Sequence, residues 1–238
     1  MNYERTSVYS ERYSSGEFVK IAILGGTGRE GTGLALRWAA SGEEVIIGSR
    51  DERRAAETAD HLNRTLGKAA IRGASNRRAA EEADVVVLTV PYAAHLGTLK
   101  EVREVLRGKL LIDTTVSLDP DAPGRLSSSN HRSALEQAQE FLGPGTKVVA
   151  AFQNISYRLL KDPKRAIDSD VLVCGDETDA RRLAITLVEK AGLRAVDAGG
   201  AHHARAVEGL TPLLLDLNRR YKTKEAGIRI TGLPGDER

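Results

Sequence analysis

Apolar residues fall along this chain in two alternating textures. Short continuous runs rich in valine and isoleucine occupy Val19 to Leu24, Val45 to Gly48, Asp84 to Val90, Lys109 to Asp113, Lys147 to Phe152, Ser169 to Cys174 and Leu193 to Asp197. Runs of that length and composition predict strands, with Asp84 to Val90 and Lys109 to Asp113 expected to be buried. A weaker segment, Ala69 to Ser75, predicts a further short strand. Between the runs, apolar residues recur every third or fourth position. This predicts helices over about Arg29 to Ser41, Asp51 to Leu66, His95 to Leu106, Ser133 to Leu142 and Thr178 to Ala191, with one or two turns over Asn76 to Ala83. Gly42 and Gly67 supply C-terminal stops, and Pro91 ends its strand. Ser133 with Glu136 fits a capping box. From Ala201 onward, Val207, Leu210, Leu214 and Leu217 predict a long last helix, which Pro212 should kink or restart because it removes a backbone donor.

Strand and helix alternate, which predicts an α/β fold with a doubly wound parallel sheet. A small α/β extension ending in the long helix follows it. Residues 1–18, polar with Tyr3, Tyr9 and Tyr13 interleaved, read as a flexible N-terminal extension, 19–152 as a nucleotide-binding domain, and 153–238 as a C-terminal domain forming a pocket wall and a dimer contact. The stretch Thr114 to Ser129, with Pro120, Pro123, Gly124 and a serine triplet, reads as a loop.

Composition narrows the class. A net charge of +2 and an aromatic content of 4% argue against nucleic acid as a partner. No apolar stretch approaches the roughly 18 residues of a membrane span, and the N-terminus lacks the apolar core of a signal peptide, so a cytoplasmic protein is expected. The single cysteine, Cys174, lies in the apolar run VLVCG and reads as a buried strand residue.

The chemistry gathers in Val19 to Arg50. Gly26-Thr27-Gly28-Arg29-Glu30-Gly31 satisfies G-x-G-x-x-G between a strand and a helix, the context that makes the pattern a Rossmann-type dinucleotide turn. The first glycine permits the turn, the second lets the backbone approach a pyrophosphate, and the third lets helix and strand pack closely. At the end of the second strand an NAD enzyme places a carboxylate for the ribose hydroxyls. Here the strand ends in Gly48-Ser49-Arg50, with Arg54 one helical turn on. A hydroxyl and guanidinium groups suit a 2′-phosphate, which points to NADP(H).

AILGGTG (Ala22 to Gly28), GLALR (Gly33 to Arg37), IGSR (Ile47 to Arg50), VLTVP (Val87 to Pro91), VCGD (Val173 to Asp176), LRAVDAG (Leu193 to Gly199) and VEGLTPLLL (Val207 to Leu215) together resemble the F420-dependent NADP oxidoreductases. The resemblance covers Val19 to about Ile230 and implies hydride transfer between NADP(H) and the deazaflavin coenzyme F420 as co-substrate, in a homodimer. It implies Gly26, Thr27 and Gly28 at the pyrophosphate, Ser49, Arg50 and Arg54 at the 2′-phosphate, and Val90 and Pro91 along the adenosine and nicotinamide side. It places the segment after the Lys147 strand beneath the nicotinamide. That segment is Gln153-Asn154-Ile155-Ser156, where the family pattern is closer to His-Thr-Ile-Pro, and Tyr92 stands where a tryptophan is common. Gln153, Asn154 and Ile155 are expected as the ring-facing wall, with Leu210 to Pro212 closing the pocket.

Two cofactors carry such a reaction, so no side chain is expected as a catalytic nucleophile or acid. A related half-site would also serve an NADPH-dependent flavin or ferric reductase, or a regulatory protein that binds NADP(H) without turnover. No metal site is expected: adjacent His202 and His203 should point to different faces. His95 reads as a surface or capping residue, and His61 and His131 as solvent-facing. Ser127 to Ser129 reads as a mobile loop, and the basic run Arg219-Arg220-Tyr221-Lys222 as a solvated helix end. There is no G-x-S-x-G to support hydrolase chemistry.

Overall fold

A computed structural model describes residues 19–119, 121–122, 124–127 and 132–234. The N-terminal extension, Ser128, Ser129 and His131 lie outside the described residues. The strands are β1 (Lys20–Leu24), β2 (Glu44–Ser49), β3 (Ile71–Ser75), β4 (Val85–Leu88), β5 (Leu110–Asp113), β6 (Lys147–Ala150), β7 (Asp170–Cys174) and β8 (Arg194–Gly199). They form one sheet in the order β3-β2-β1-β4-β5-β6-β7-β8. The first six run parallel, in the doubly wound order whose topological switch lies between β1 and β4.

The helices are α1 (Arg29–Ser41), α2 (Glu52–Leu66), α3 (Asn76–Glu82), α4 (His95–Val102), α5 (Ala134–Leu142), α6 (Tyr157–Leu160), α7 (Thr178–Lys190) and α8 (Ala204–Arg220). They cover both faces. Leu34 and Trp38 of α1, Ala59 and Leu62 of α2 and Leu183 and Leu187 of α7 pack on one side. Ala79 of α3, Leu99 of α4, Leu135 of α5 and Val207 of α8 pack on the other. The local punctuation follows side-chain chemistry. Gly42 and Gly67 adopt left-handed φ of 104° and 70° at the ends of α1 and α2. Ser133 and Glu136 form the reciprocal capping box.

Two features depart from the sequence pattern. First, β7 pairs antiparallel with β6, so β7 and β8 run against the other six strands. The intervening chain holds only the four-residue α6 and a turn around Pro163, and it does not carry the chain back across the sheet. Second, α8 continues unbroken through Pro212 from Ala204 to Arg220. The missing Pro212 amide leaves the Glu208 carbonyl without its i+4 donor, yet the helix runs on through the buried Pro212 and Leu214, beside Thr211 bonded to the Gln153 carbonyl. Among the described residues no helix is long and apolar enough to cross a membrane.

Trp38 is fully buried, meets Phe152 edge to face at 5.9 Å, and donates its indole N–H to the Leu187 carbonyl at 2.7 Å. It therefore joins α1, the end of β6 and α7. Trp38→Ala is expected to lower stability by about 3–5 kcal/mol, read from the midpoint of urea unfolding; a loss below about 1 kcal/mol would contradict this anchoring role.

Candidate functional site

The carboxyl ends of β1, β2, β4, β5 and β6 meet in one crevice, and the glycine turn forms its floor. Gly25 sits at φ 70°, a conformation that favours glycine, and its amide donates to the Asn76 side-chain oxygen at 3.4 Å. A Cβ on Gly26 would lie 2.6 Å from the Ile23 carbonyl oxygen. A Cβ on Gly31 would lie 2.7 Å from the Gly26 Cα and 2.8 Å from Thr89 Oγ1. Helix α1 is thus pressed onto the strand-to-helix turn with no room for a methyl group. Its first-turn amides, which have no intrahelical acceptor, open toward the crevice and suit a phosphate. Gly28 caps α1 with extended backbone and is exposed, while Thr27 is half-buried.

At the end of β2, Ser49 is buried and its hydroxyl accepts the Asp51 amide at 3.1 Å. Asp51 caps α2 by accepting from the Arg54 amide. Arg50 and Arg54 are both exposed, and among the described residues neither is within ion-pair distance of a carboxylate, whereas Arg53 is paired with Glu57 at 3.4 Å. Two uncommitted guanidinium groups beside a buried serine fit a phosphate monoester better than a pair of ribose hydroxyls.

On the other side of the switch, the half-buried Val90 packs against Gly25, and Pro91 is exposed at the rim. Beyond β6 the chain passes through Phe152 at φ 76°, strained for a bulky residue and held by Trp38. Gln153, Asn154 and Ile155 follow, all buried. Gln153 donates its amide to the Asp113 carbonyl at 2.7 Å, and Asn154 donates to the Asp170 carbonyl at 2.6 Å. Thr211 of α8 donates to the Gln153 carbonyl at 2.7 Å, which brings the last helix onto this segment. Arg29 leans outward and donates to the Tyr157 hydroxyl at 3.0 Å.

The sequence reading missed a buried polar core beneath the crevice. His95 is fully buried rather than at the surface, and its Nε2 lies 2.6 Å from Asp113 Oδ2. The other Asp113 oxygen accepts the Thr115 amide at 3.0 Å. Glu208 of α8 accepts from the Ser117 amide at 3.0 Å and the Ala134 amide at 2.6 Å. Burial and then nearby Asp113 push the Glu208 carboxyl above the usual range, against the pull of those donors. Glu30 is only half-buried as a residue, yet its carboxyl end is enclosed; desolvation first, then Asp113, push it up to about 8, although a hydrogen bond with Thr114 pulls the other way. The one available signal was position: Asp113 closes an apolar strand at the carboxyl edge of the sheet, where sites of this fold gather. His202 and His203 also depart from expectation, with ring centroids 4.0 Å apart in a short 3-10 turn; among the described residues no cluster suited to a metal ion occurs.

Residues 20–117 match the family described as "NADP oxidoreductase coenzyme F420-dependent". The chain is 48% identical over 223 residues to an F420-dependent NADP reductase of Methanothermobacter marburgensis, covering 91% of this chain and 100% of that protein. The chain belongs to the F420-dependent NADP reductase family. A second member of the family, from Methanocaldococcus jannaschii, is 42% identical and covers 90% of this chain and 99% of its own length. Among solved structures, a candidate F420-dependent NADP-reductase from Arthrobacter sp. FB24 superposes with a TM-score of 0.77 at 29% identity, over 90% of this chain and 100% of that one.

Asp113→Ala leaves the His95 ring and the Thr115 amide without their buried partner. A loss of about 3 kcal/mol is expected in denaturant unfolding, and stability within about 0.5 kcal/mol of wild type would contradict it.

Proposed function

We infer that this protein transfers a hydride between NADP(H) and the deazaflavin coenzyme F420. The observation that carries the nucleotide half is the pair of uncommitted guanidinium groups, Arg50 and Arg54, beside buried Ser49 at the end of β2. Membership of the family carries the deazaflavin half. The two cofactors, when bound, supply the redox chemistry by direct transfer between their rings.

The protein's own part is binding, orientation and the exclusion of water. The turn at Gly26, Thr27 and Gly28, with the amides of Arg29 and Glu30, holds the pyrophosphate. Ser49, Arg50 and Arg54 hold the 2′-phosphate, and Val90 and Pro91 border the nucleotide. Gln153, Asn154 and Ile155 back the ring site; the hydrogen bonds of Gln153 to the Asp113 carbonyl and of Asn154 to the Asp170 carbonyl support a rigid wall there. In this reading residues 19–152 hold the nucleotide and 153–238 complete the second pocket. Leu213 and Leu215 of α8, 51% and 39% exposed, support α8 as the contact of a homodimer.

Mixing the protein with NADPH and oxidised F420 is expected to bleach the visible absorption of the deazaflavin. Persistence of that band while a flavin or ferric iron is reduced would replace F420 with another acceptor. Replacing Arg50 and Arg54 together with alanine removes charge-assisted bonds worth about 1.5–3 kcal/mol each, so NADPH should bind at least about tenfold more weakly while NADH binding changes little. Equal losses for both nucleotides would sink the phosphate assignment.

A further inference from the structure

The sheet splits at one place. Strands β6 and β7 run antiparallel and are paired at a single register position, Ala150 with Cys174. Antiparallel strands advance in opposite directions, so continuing that register brings Asn154 opposite Asp170. There the rung is made by a side chain: the Asn154 amide donates to the Asp170 carbonyl at 2.6 Å. Between the two rungs the chain turns through Phe152 at φ 76° and carries Gln153, whose amide is held by the Asp113 carbonyl of β5 at 2.7 Å. Asn154 therefore closes the neck of the segment that backs the ring site in the reading above, on which this inference rests. Only a donor serves at that point, because an oxygen would face the carbonyl oxygen.

Asp170 is in turn held on every polar atom. Its amide donates to the Ile228 carbonyl at 2.7 Å. Its buried carboxylate accepts from the Arg194 guanidinium of β8 with both oxygens at 2.9 Å, and from the Ile230 amide at 2.6 Å. Arg194 also donates to the Ile230 carbonyl at 3.1 Å. The segment after α8 is thus drawn along the start of β7, and further contacts keep it there. Ser169 Oγ accepts the Ile228 amide and donates to the Ile228 carbonyl, both at 3.1 Å. Ser156 donates to the Lys224 carbonyl at 2.9 Å, and Arg165 forks onto Glu225 at 2.7 and 3.0 Å. Gly227 lies so close that a Cβ there would stand 2.8 Å from the Ser169 Cβ. A buried carboxylate is stable only where counter-charge and donors meet it. Arg194 and the Ile230 amide meet it here. They fix Asp170, and the Asp170 carbonyl fixes Asn154.

We propose that Asp170 is a positioning residue for the second coenzyme: clamped by Arg194 and by residues 227–230, it holds Asn154 through its carbonyl and so sets the wall of Gln153, Asn154 and Ile155 against a planar ring. Among the described residues, none of its hydrogen-bond partners comes from the glycine turn or the end of β2. The clamp acts on the deazaflavin side and leaves the phosphate seat alone.

The test reads the free protein and each coenzyme separately. Asp170→Asn keeps the side-chain shape and removes the charge. Amides of residues 151–156 should exchange with deuterium about tenfold faster than in wild type, while those of β1 and β4 stay unchanged. The dissociation constant of F420, read by its fluorescence, should rise about tenfold, whereas that of NADPH should move less than about threefold. Gly227→Ala, which displaces the segment after α8 without altering Asp170, should shift both readouts in the same direction. Asn154→Asp, of equal size but without the donor, should weaken F420 as much as Asp170→Asn does. The double variant should lose little beyond the larger single loss, because both changes act through one bond. Unchanged F420 binding in Asp170→Asn, a parallel loss of NADPH, or losses that multiply in the double variant overturn the inference. If Asp170→Asn does not fold, Gly227→Ala and Asn154→Asp decide by the same criteria. A wild type that binds NADPH but no F420 overturns the deazaflavin reading and this inference together.

Discussion

The structure depends on one close approach. Helix α1 lies so near the end of β1 that the space beside Gly31 is filled by the Gly26 backbone and Thr89. That contact fixes where the amides of the turn point, and it sets the depth of the crevice. The far half of α1 is held as firmly. Trp38 bonds to α7, and buried Arg37 donates to the carbonyls of Leu159, Asp162, Arg165 and Ala191. Those four carbonyls belong to the chain that leads from the end of β6 into β7, and to the end of α7. The helix that follows the glycine turn is therefore also the helix that braces the chain between β6 and β7. A displacement of α1 would disturb both half-sites together.

Below the crevice, the fold encloses polar groups where apolar side chains would be safer. Asp113, His95 and the Gln153 amide are joined by hydrogen bonds at the ends of β5 and β6, and the buried Glu208 of α8 accepts from Ser117 and Ala134. Burying such groups is favourable only when their hydrogen bonds are met; the Asp113 and Glu208 carboxylates accept from backbone amides, whereas His95 Nδ1 and Gln153 Oε1 are buried without a partner among the described residues. The arrangement ties α4, β5, α8 and the Gln153 segment into one rigid unit. Hydride transfer needs two rings held at near-attack distance. A rigid backing of this kind suits that need, because thermal play in either wall would be felt directly as a change in ring separation.

Much of this was legible in the sequence. The β-branched runs and the alternation with helices marked the sheet, and Gly26 to Gly31 marked the tight turn between β1 and α1, because those residues act locally through φ and size. What stayed hidden was nonlocal. The reversal of β7 depends on how the chain between Phe152 and Ser169 travels, and periodicity carries no direction. His95 looked like a capping residue since its partner, Asp113, is 18 positions away. Glu208 belongs to the same class, since the amides that donate to it lie far away in sequence at Ser117 and Ala134. Pro212 looked like a kink or restart, yet the helix runs through it with Pro212 buried.

The position of α8 in the chain has a consequence for the order of events during synthesis. The nucleotide turn, β1, β2 and β4 are all made early, and they can pair with one another as soon as they emerge. The second pocket cannot be finished then, since Thr211 caps the Gln153 carbonyl and Glu208 satisfies the Ser117 and Ala134 amides only after α8 has docked. Until α8 has docked, the Gln153 carbonyl and the Ser117 and Ala134 amides lack the partners they have in the folded protein.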